Sequence, residues 1–166
     1  HHAPREVKMA KAVALIASAL CILAFAGLAQ SHDEVFTVEG RVYCDTCRLE
    51  FLTRVSQFLA GATVRLECRE RYESSNVTYT VESVTDADGY YSLAVHGDHE
   101  NEICEVTVVS SPDPDCSEPM VERARVSLTT HSGITSDSRY ANFLGFLKTE
   151  SIPECAEVLR ELALFS

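Results

Sequence analysis

The stretch "EGRVYCDTCR", Glu39 to Arg48, places Cys44 and Cys47 with two residues between them. That spacing serves a redox dithiol, half of a zinc site, or two disulfides leading elsewhere. A redox pair needs the cysteines at the start of a helix after a parallel strand, where the helix terminus depresses a thiol pKa. No βαβ alternation surrounds this pair. Zinc needs four ligands, and neither a second Cys-x-x-Cys nor histidines at finger spacing are present. The residue types therefore favour two structural disulfides.

Other groups could also do chemistry. His96 and His99 stand among Asp98, Glu100 and Glu102 in "HGDHENE". Histidines three apart on a loop have no fixed mutual geometry, so a solvated acidic loop is expected. Asp86 and Asp88 before Gly89 resemble the opening of a calcium loop. The closing glutamate is missing, which favours a tight turn. His131 lies near Ser132 and Asp137, but a triad is defined in space. The chain contains no GxSxG, HExxH, Walker A or GxGxxG motif. No catalytic residue, cofactor site or metal site is predicted, and the chain reads as a non-enzyme. "NVT", Asn76 to Thr78, is a sequon. It marks Asn76 for N-glycosylation if the protein is secreted.

Compartment decides between these readings. Lys8 and Lys11 precede the apolar run "AVALIASALCILAFAGLA", Ala12 to Ala29, whose small residues close it. This pattern is a secretory signal with cleavage expected after Ala29; the run is short for a membrane span. Met9 fits an initiator, and residues 1–8 precede it. Residues 1–29 are thus assigned as pre-sequence and signal, and 30–166 as a single domain.

Arg5, Lys8, Lys11 and Glu6 leave with the signal. The mature chain keeps 11 basic and 24 acidic residues, so its net charge is 11 − 24 = −13. Nucleic acid and anionic membrane need basic patches and are excluded as partners, whereas a basic protein surface or a soluble extracellular state fits. Cys21 also departs, leaving Cys44, Cys47, Cys68, Cys104, Cys116 and Cys155. Six cysteines in an oxidising route read as three disulfides, for which counting permits 15 pairings.

The elements that position these groups are strands. "VFTVEGRVY" puts Phe36, Val38 and Val42 on one face. "ATVRLEC", "VTYTVESV" and the segment after Gly89, with Tyr91, Leu93 and Val95 on one face, repeat the alternation. Further strands are expected at Ile103 to Val109, Arg123 to Thr130 and Asn142 to Lys148. Seven short strands imply an all-β fold, a small antiparallel seven-stranded barrel or sandwich. Arg48 to Leu59 spaces Leu52, Val55 and Leu59 at helical intervals and suits either a helix or an ordered loop. At the end, Ser151 and Glu154 can form a capping box. Pro153 then sits in the first turn of a short helix with Cys155, Val158, Leu159 and Leu162 on one face, placed to pack on the sheet.

These blocks resemble the Ole e I-like family of plant pollen extracellular proteins. "EGRVYCDTCR" matches the family's G-x-V-Y-C-D-x-C-R core. "GATVRLEC", "TDADGYYSLAV", "DHENEICEV", "SPDPDCSE", "ANFLGFLKTE" and "IPECAEVL" extend the similarity over nearly the whole mature chain. The resemblance implies seven antiparallel strands and the pairings Cys44 with Cys116, Cys47 with Cys155, and Cys68 with Cys104. It also implies a secreted interaction protein of pollen hydration, germination or tube growth. A cell-surface receptor or cell-wall component is the implied partner, and IgE recognition follows from the family's allergens. A secreted inhibitor or weak carbohydrate-binding domain is the alternative. The family's usual glycosylation site is not reproduced in "HSGITSD", which leaves Asn76. "G-A-x-V-x-L" and "T-D-x-x-G-x-Y" are similar to transthyretin-related and carboxypeptidase-regulatory β-sandwiches as well.

Overall fold

An eleven-residue strand, β1 (Val35–Asp45), organises the fold. The computed structural model describes residues 34–72 and 75–164. The signal and cleavage expectations for residues 1–29 lie outside the described residues. Alternation along β1 sends Phe36, Val38 and Val42 inward, as the period of two requires. From Val42 onward both faces are covered, and Tyr43, Cys44 and Asp45 are all buried.

The first half of β1 pairs antiparallel with β5 (Tyr90–His96), from Val35 opposite His96 to Arg41 opposite Tyr90. On its other side it runs parallel to β9 (Ser138–Tyr140). The second half pairs in parallel with β10 (Leu144–Leu147) and antiparallel with the two-residue β2 (Gln57–Phe58). A short β7 (Glu118–Pro119) extends β10, which completes a six-stranded sheet.

The second sheet has four antiparallel strands in the order β4 (Val77–Val84), β3 (Thr63–Glu70), β6 (Glu102–Ser110) and β8 (Ala124–Val126). One buried cluster joins Phe36, Val38, Leu93, Val95 and Phe146 of the first sheet to Val64, Leu66, Val106 and Val126 of the second. The sheets therefore pack face to face, with the core between them.

Three sequence expectations are corrected. The described residues form ten strands rather than seven, arranged in two open sheets and not a closed barrel. The arrangement is not wholly antiparallel, because the chain crosses to the second sheet after β5 and returns beside β1 in β1's own direction. The terminal helix, α1 (Cys155–Leu164), buries only Cys155 and Val158; Leu159 and Leu162 stay exposed. Instead of capping through Glu154, Ser151 gives its hydroxyl proton to the Cys47 carbonyl at 3.2 Å.

Tyr91 shows how closely the core is fitted. Its ring crosses β1 at Gly40, where an added Cβ would lie 2.3 Å from the phenol oxygen. That oxygen is buried without a hydrogen-bond partner, and burial pushes the phenol pKa far up. An unsatisfied buried hydroxyl costs about 1–3 kcal/mol. Tyr91→Phe is expected to leave stability unchanged or raise it by roughly 1 kcal/mol; chemical denaturation checks this, and a clear loss would mean the hydroxyl is satisfied in solution.

Candidate functional site

The Cys44–Arg48 motif joins strand, loop and helix. Cys44 is bonded to Cys116, and Cys47 to Cys155. A third bond links Cys68 and Cys104, which face each other across β3 and β6. Between the first two cysteines, Asp45 is fully buried. Its carboxylate accepts the amide protons of Cys47 at 3.2 Å and Glu50 at 2.6 Å. Those bonds curl the chain, and Arg48 and Glu50 take left-handed φ values of 55° and 66°. The segment after the motif is accordingly an ordered loop, without the helix that its apolar spacing also allowed.

The neighbours of Asp45 complete the junction. Thr46 donates its hydroxyl to the Val55 carbonyl at 2.9 Å, and its own carbonyl accepts from the Ile152 amide at 3.1 Å. Arg48 donates to Glu118 and to the Lys148 carbonyl. Arg54 and Glu161 form a bidentate pair that ties the loop to α1. Hydrogen bonding from Arg54 holds the Glu161 carboxyl below the ordinary carboxylate range. The motif is thus filled with structural bonds, and its cysteines are committed.

Tyr43, beside this junction, offers a pH readout. Burial first, then the charges of Asp45 and Glu122, push its phenol up to about 12 from an ordinary 10.0. The folded state therefore keeps this proton longer than the unfolded chain. Stability from Tyr43 is fully present below about pH 10 and is lost as pH climbs toward 12. Phenolate absorbance should show Tyr43 ionising together with unfolding. Early ionisation of Tyr43 would contradict its burial.

The remaining sequence candidates are dispersed. His99 is buried, with Nδ1 3.0 Å from Glu102 and Nε2 2.9 Å from the His96 carbonyl. Among the described residues, the imidazoles of His96 and His99 join no common cluster of ligand atoms. Asp86 uses one carboxylate oxygen to accept the amides of Asp88 and Tyr90, and Gly89 adopts φ 83°: this is a tight turn. His131 meets Glu100 at 2.9 Å, where the sequence placed it near Ser132 and Asp137. Asp98, Glu100 and His131 bring ligand atoms within 4.8 Å of one another, all on exposed residues. Asn76 is exposed at the entrance to β4, while Thr78 donates to the Cys68 carbonyl at 3.1 Å.

The sequence reading missed an aromatic face on the outer side of the first sheet. Arg41 and Tyr90 are cross-strand partners, and the guanidinium carbon lies 3.1 Å from the Phe58 ring centroid and 4.3 Å from that of Tyr90. Its Nε donates to the Asp88 carbonyl. Phe143 meets Phe58 edge-on at 6.1 Å. Tyr140, 78% exposed, shares this outer face, since it pairs with Glu39. The usable signal was Arg41 and Tyr90 facing away from the Val42 and Tyr91 side; Phe58 and Phe143 come from distant segments.

Comparison with known proteins places this architecture. The family model described as pollen protein Ole e 1 like matches residues 34–163. The chain belongs to this family. It is 54% identical over 159 residues to the anther-specific protein LAT52 of Solanum lycopersicum, covering 95% of this chain and 98% of that one. Pollen allergen Cro s 1 of Crocus sativus is 48% identical over 160 residues, with 93% and 95% covered. The crystal structure of the major plantain pollen allergen Pla l 1 aligns with a TM-score of 0.66 at 36% identity, covering 73% of this chain and 99% of that one. These relatives are named as an anther-specific protein and as pollen allergens, none of them as an enzyme. No helix among the described residues is long and apolar enough to cross a membrane.

Proposed function

We propose that this Ole e 1 family member is a secreted, non-enzymatic binding protein of pollen, acting through a cell-surface receptor or cell-wall component during hydration, germination or tube growth. The observation that carries this reading is the family match over 34–163, together with the relatives' pollen and anther names. In this reading residues 1–29 are removed, 30–166 act as one extracellular domain, and Asn76 carries a glycan. Cysteines committed to disulfides, in a chain without hydrolase motifs, support a binding role over catalysis. Relatives named as allergens support IgE recognition of the exposed surface.

The test is retention. The chain of residues 1–166 expressed in a secreting plant host should yield a protein beginning near residue 30, with added glycan mass that is lost in Asn76→Gln. Fluorescently labelled protein should then concentrate on germinating pollen and saturate. Uniform washing-off from pollen and pistil tissue would count against the reading.

A further inference from the structure

The aromatic face around Arg41 is not explained by folding. Phe58, Tyr90, Tyr140 and Phe143 are all exposed, although burying an aromatic ring stabilises a fold. A contiguous exposed patch of this kind marks a binding surface. Three of the rings, Phe58, Tyr90 and Phe143, are also held in place. Arg41 is clamped between Phe58 and Tyr90, and Phe143 braces Phe58 edge-on. Little side-chain entropy therefore remains to be lost on binding.

The polar groups beside the rings select the partner. Glu39, Ser92 and Tyr140 lie in one cross-strand row on the outer face, next to the Arg41–Tyr90 row. A cleft of about 480 Å³ adjoins Tyr90, and Glu39, Ser83, Asp86 and Ser92 line it. Among the described residues, the Glu39 carboxylate and the Ser83 and Ser92 hydroxyls enter no hydrogen bond. Nor does any carboxylate pair with Arg41. The surface therefore offers exposed aromatic side chains beside open acceptors and donors, spread along a sheet.

We propose that this face binds an uncharged oligosaccharide chain. Sugar C–H groups carry slight positive charge and seat against the negative faces of Tyr90, Tyr140 and Phe143. The hydroxyls at the sugar edges donate to Glu39 and Asp86, exchange hydrogen bonds with Ser83 and Ser92, and accept from the Arg41 Nη groups. A uronate chain fits poorly, because Glu39, Asp86, Asp88 and the acidic balance of the whole domain repel it. The inference deepens the extracellular-binding reading, and rests on it, by naming a glycan as the wall component and locating its face.

The experiment uses isotope-labelled secreted protein with all three disulfides intact. It is titrated separately with cellohexaose, β-1,4-galactohexaose and hexagalacturonate. At least one neutral hexaose should shift resonances of Glu39, Tyr90, Ser92, Tyr140 and Phe143, while hexagalacturonate binds at least tenfold more weakly. Tyr90→Ala and Tyr140→Ala should each weaken binding about tenfold or more. Tyr140 is exposed enough for its variant to keep the wild-type melting temperature. Leu162→Ser, on the exposed side of α1, should bind as wild type.

Three results overturn the glycan face: no shift with either neutral hexaose, tighter binding of the uronate, or unchanged affinity in both aromatic variants. If the sugars fail while labelled protein is still retained on pollen by a protein receptor, the glycan inference falls and the extracellular-binding reading stands. If retention fails too, both fall.

Discussion

Replacing Cys44 and Cys116 together with alanine is expected to destabilise the whole protein by about 4 kcal/mol. Replacing Cys47 and Cys155 is expected to release α1 while the sheets remain folded. Chain entropy alone predicts the reverse order, because the second bond closes 108 residues and the first 72. Loop length enters only logarithmically, however, and separates the two by just ~0.4 kcal/mol. Location decides. Cys44 and Cys116 sit in the core between the sheets, at 3% and 0% exposure. Cys155 instead holds a helix that buries one other side chain, Val158. Without its disulfide, α1 retains the exposed Arg54–Glu161 pair, which solvent screening leaves weak, and a few hydrogen bonds. Local opening then becomes cheaper than global unfolding. Hydrogen exchange should show α1 amides losing protection in the Cys47/Cys155 variant while β1, β3 and β6 keep theirs. Equal global losses in the two variants would mean that α1 is part of the core's cooperative unit.

Gly40→Ala is expected to cost roughly 3 kcal/mol, the upper end of overpacking effects. The new methyl would stand 2.3–2.8 Å from the Tyr91 phenol oxygen and two of its ring carbons, all nearer than van der Waals contact permits. Gly40 lies mid-strand opposite Tyr91 of β5, so the backbone has little room to yield, and Tyr91 would have to leave its rotamer within a filled core. The partner substitution separates this clash from a backbone effect. In a Tyr91→Val background, which already loses ring burial, Gly40→Ala should cost less than about 1 kcal/mol. Denaturant unfolding of the four-member cycle measures the coupling. Additive losses would show that Gly40 is needed for its own conformation.

Much of this architecture could be read in the sequence because it depends on local alternation. Phe36, Val38 and Val42 announce an inward face, and so do Tyr91, Leu93 and Val95. The seven expected strand regions all contain strand in the folded chain, although the segments at Arg123 to Thr130 and Asn142 to Lys148 are trimmed to Ala124–Val126 and Leu144–Leu147. What could not be read depends on distant partners. Leu52, Val55 and Leu59 carry helical spacing, but the buried Asp45 carboxylate gathers the loop amides and imposes left-handed turns. Parallel pairing of β9 and β10 with β1 leaves no local mark. Leu159 and Leu162 look like a packing face, yet α1 meets the fold mainly through its first turn and Arg54. The aromatic face was missed for the same reason: Arg41 and Phe58 meet only after β2 folds back on β1.

The central position of β1 also bears on how the protein is made. Its final residues pair with Leu144–Leu147, about 100 residues later in the chain. At ~5–20 residues per second, β1 therefore emerges on the order of 5–20 s before its parallel partners exist. For most of that interval Cys44 and Cys47 lie side by side as free thiols, since Cys116 follows Cys44 by 72 residues and Cys155 follows Cys47 by 108. The nascent chain can close a Cys44–Cys47 bridge or capture Cys68, and either error must be undone by thiol–disulfide exchange. Yield in a secreting cell should depend on disulfide isomerase more than on the stability of the finished fold.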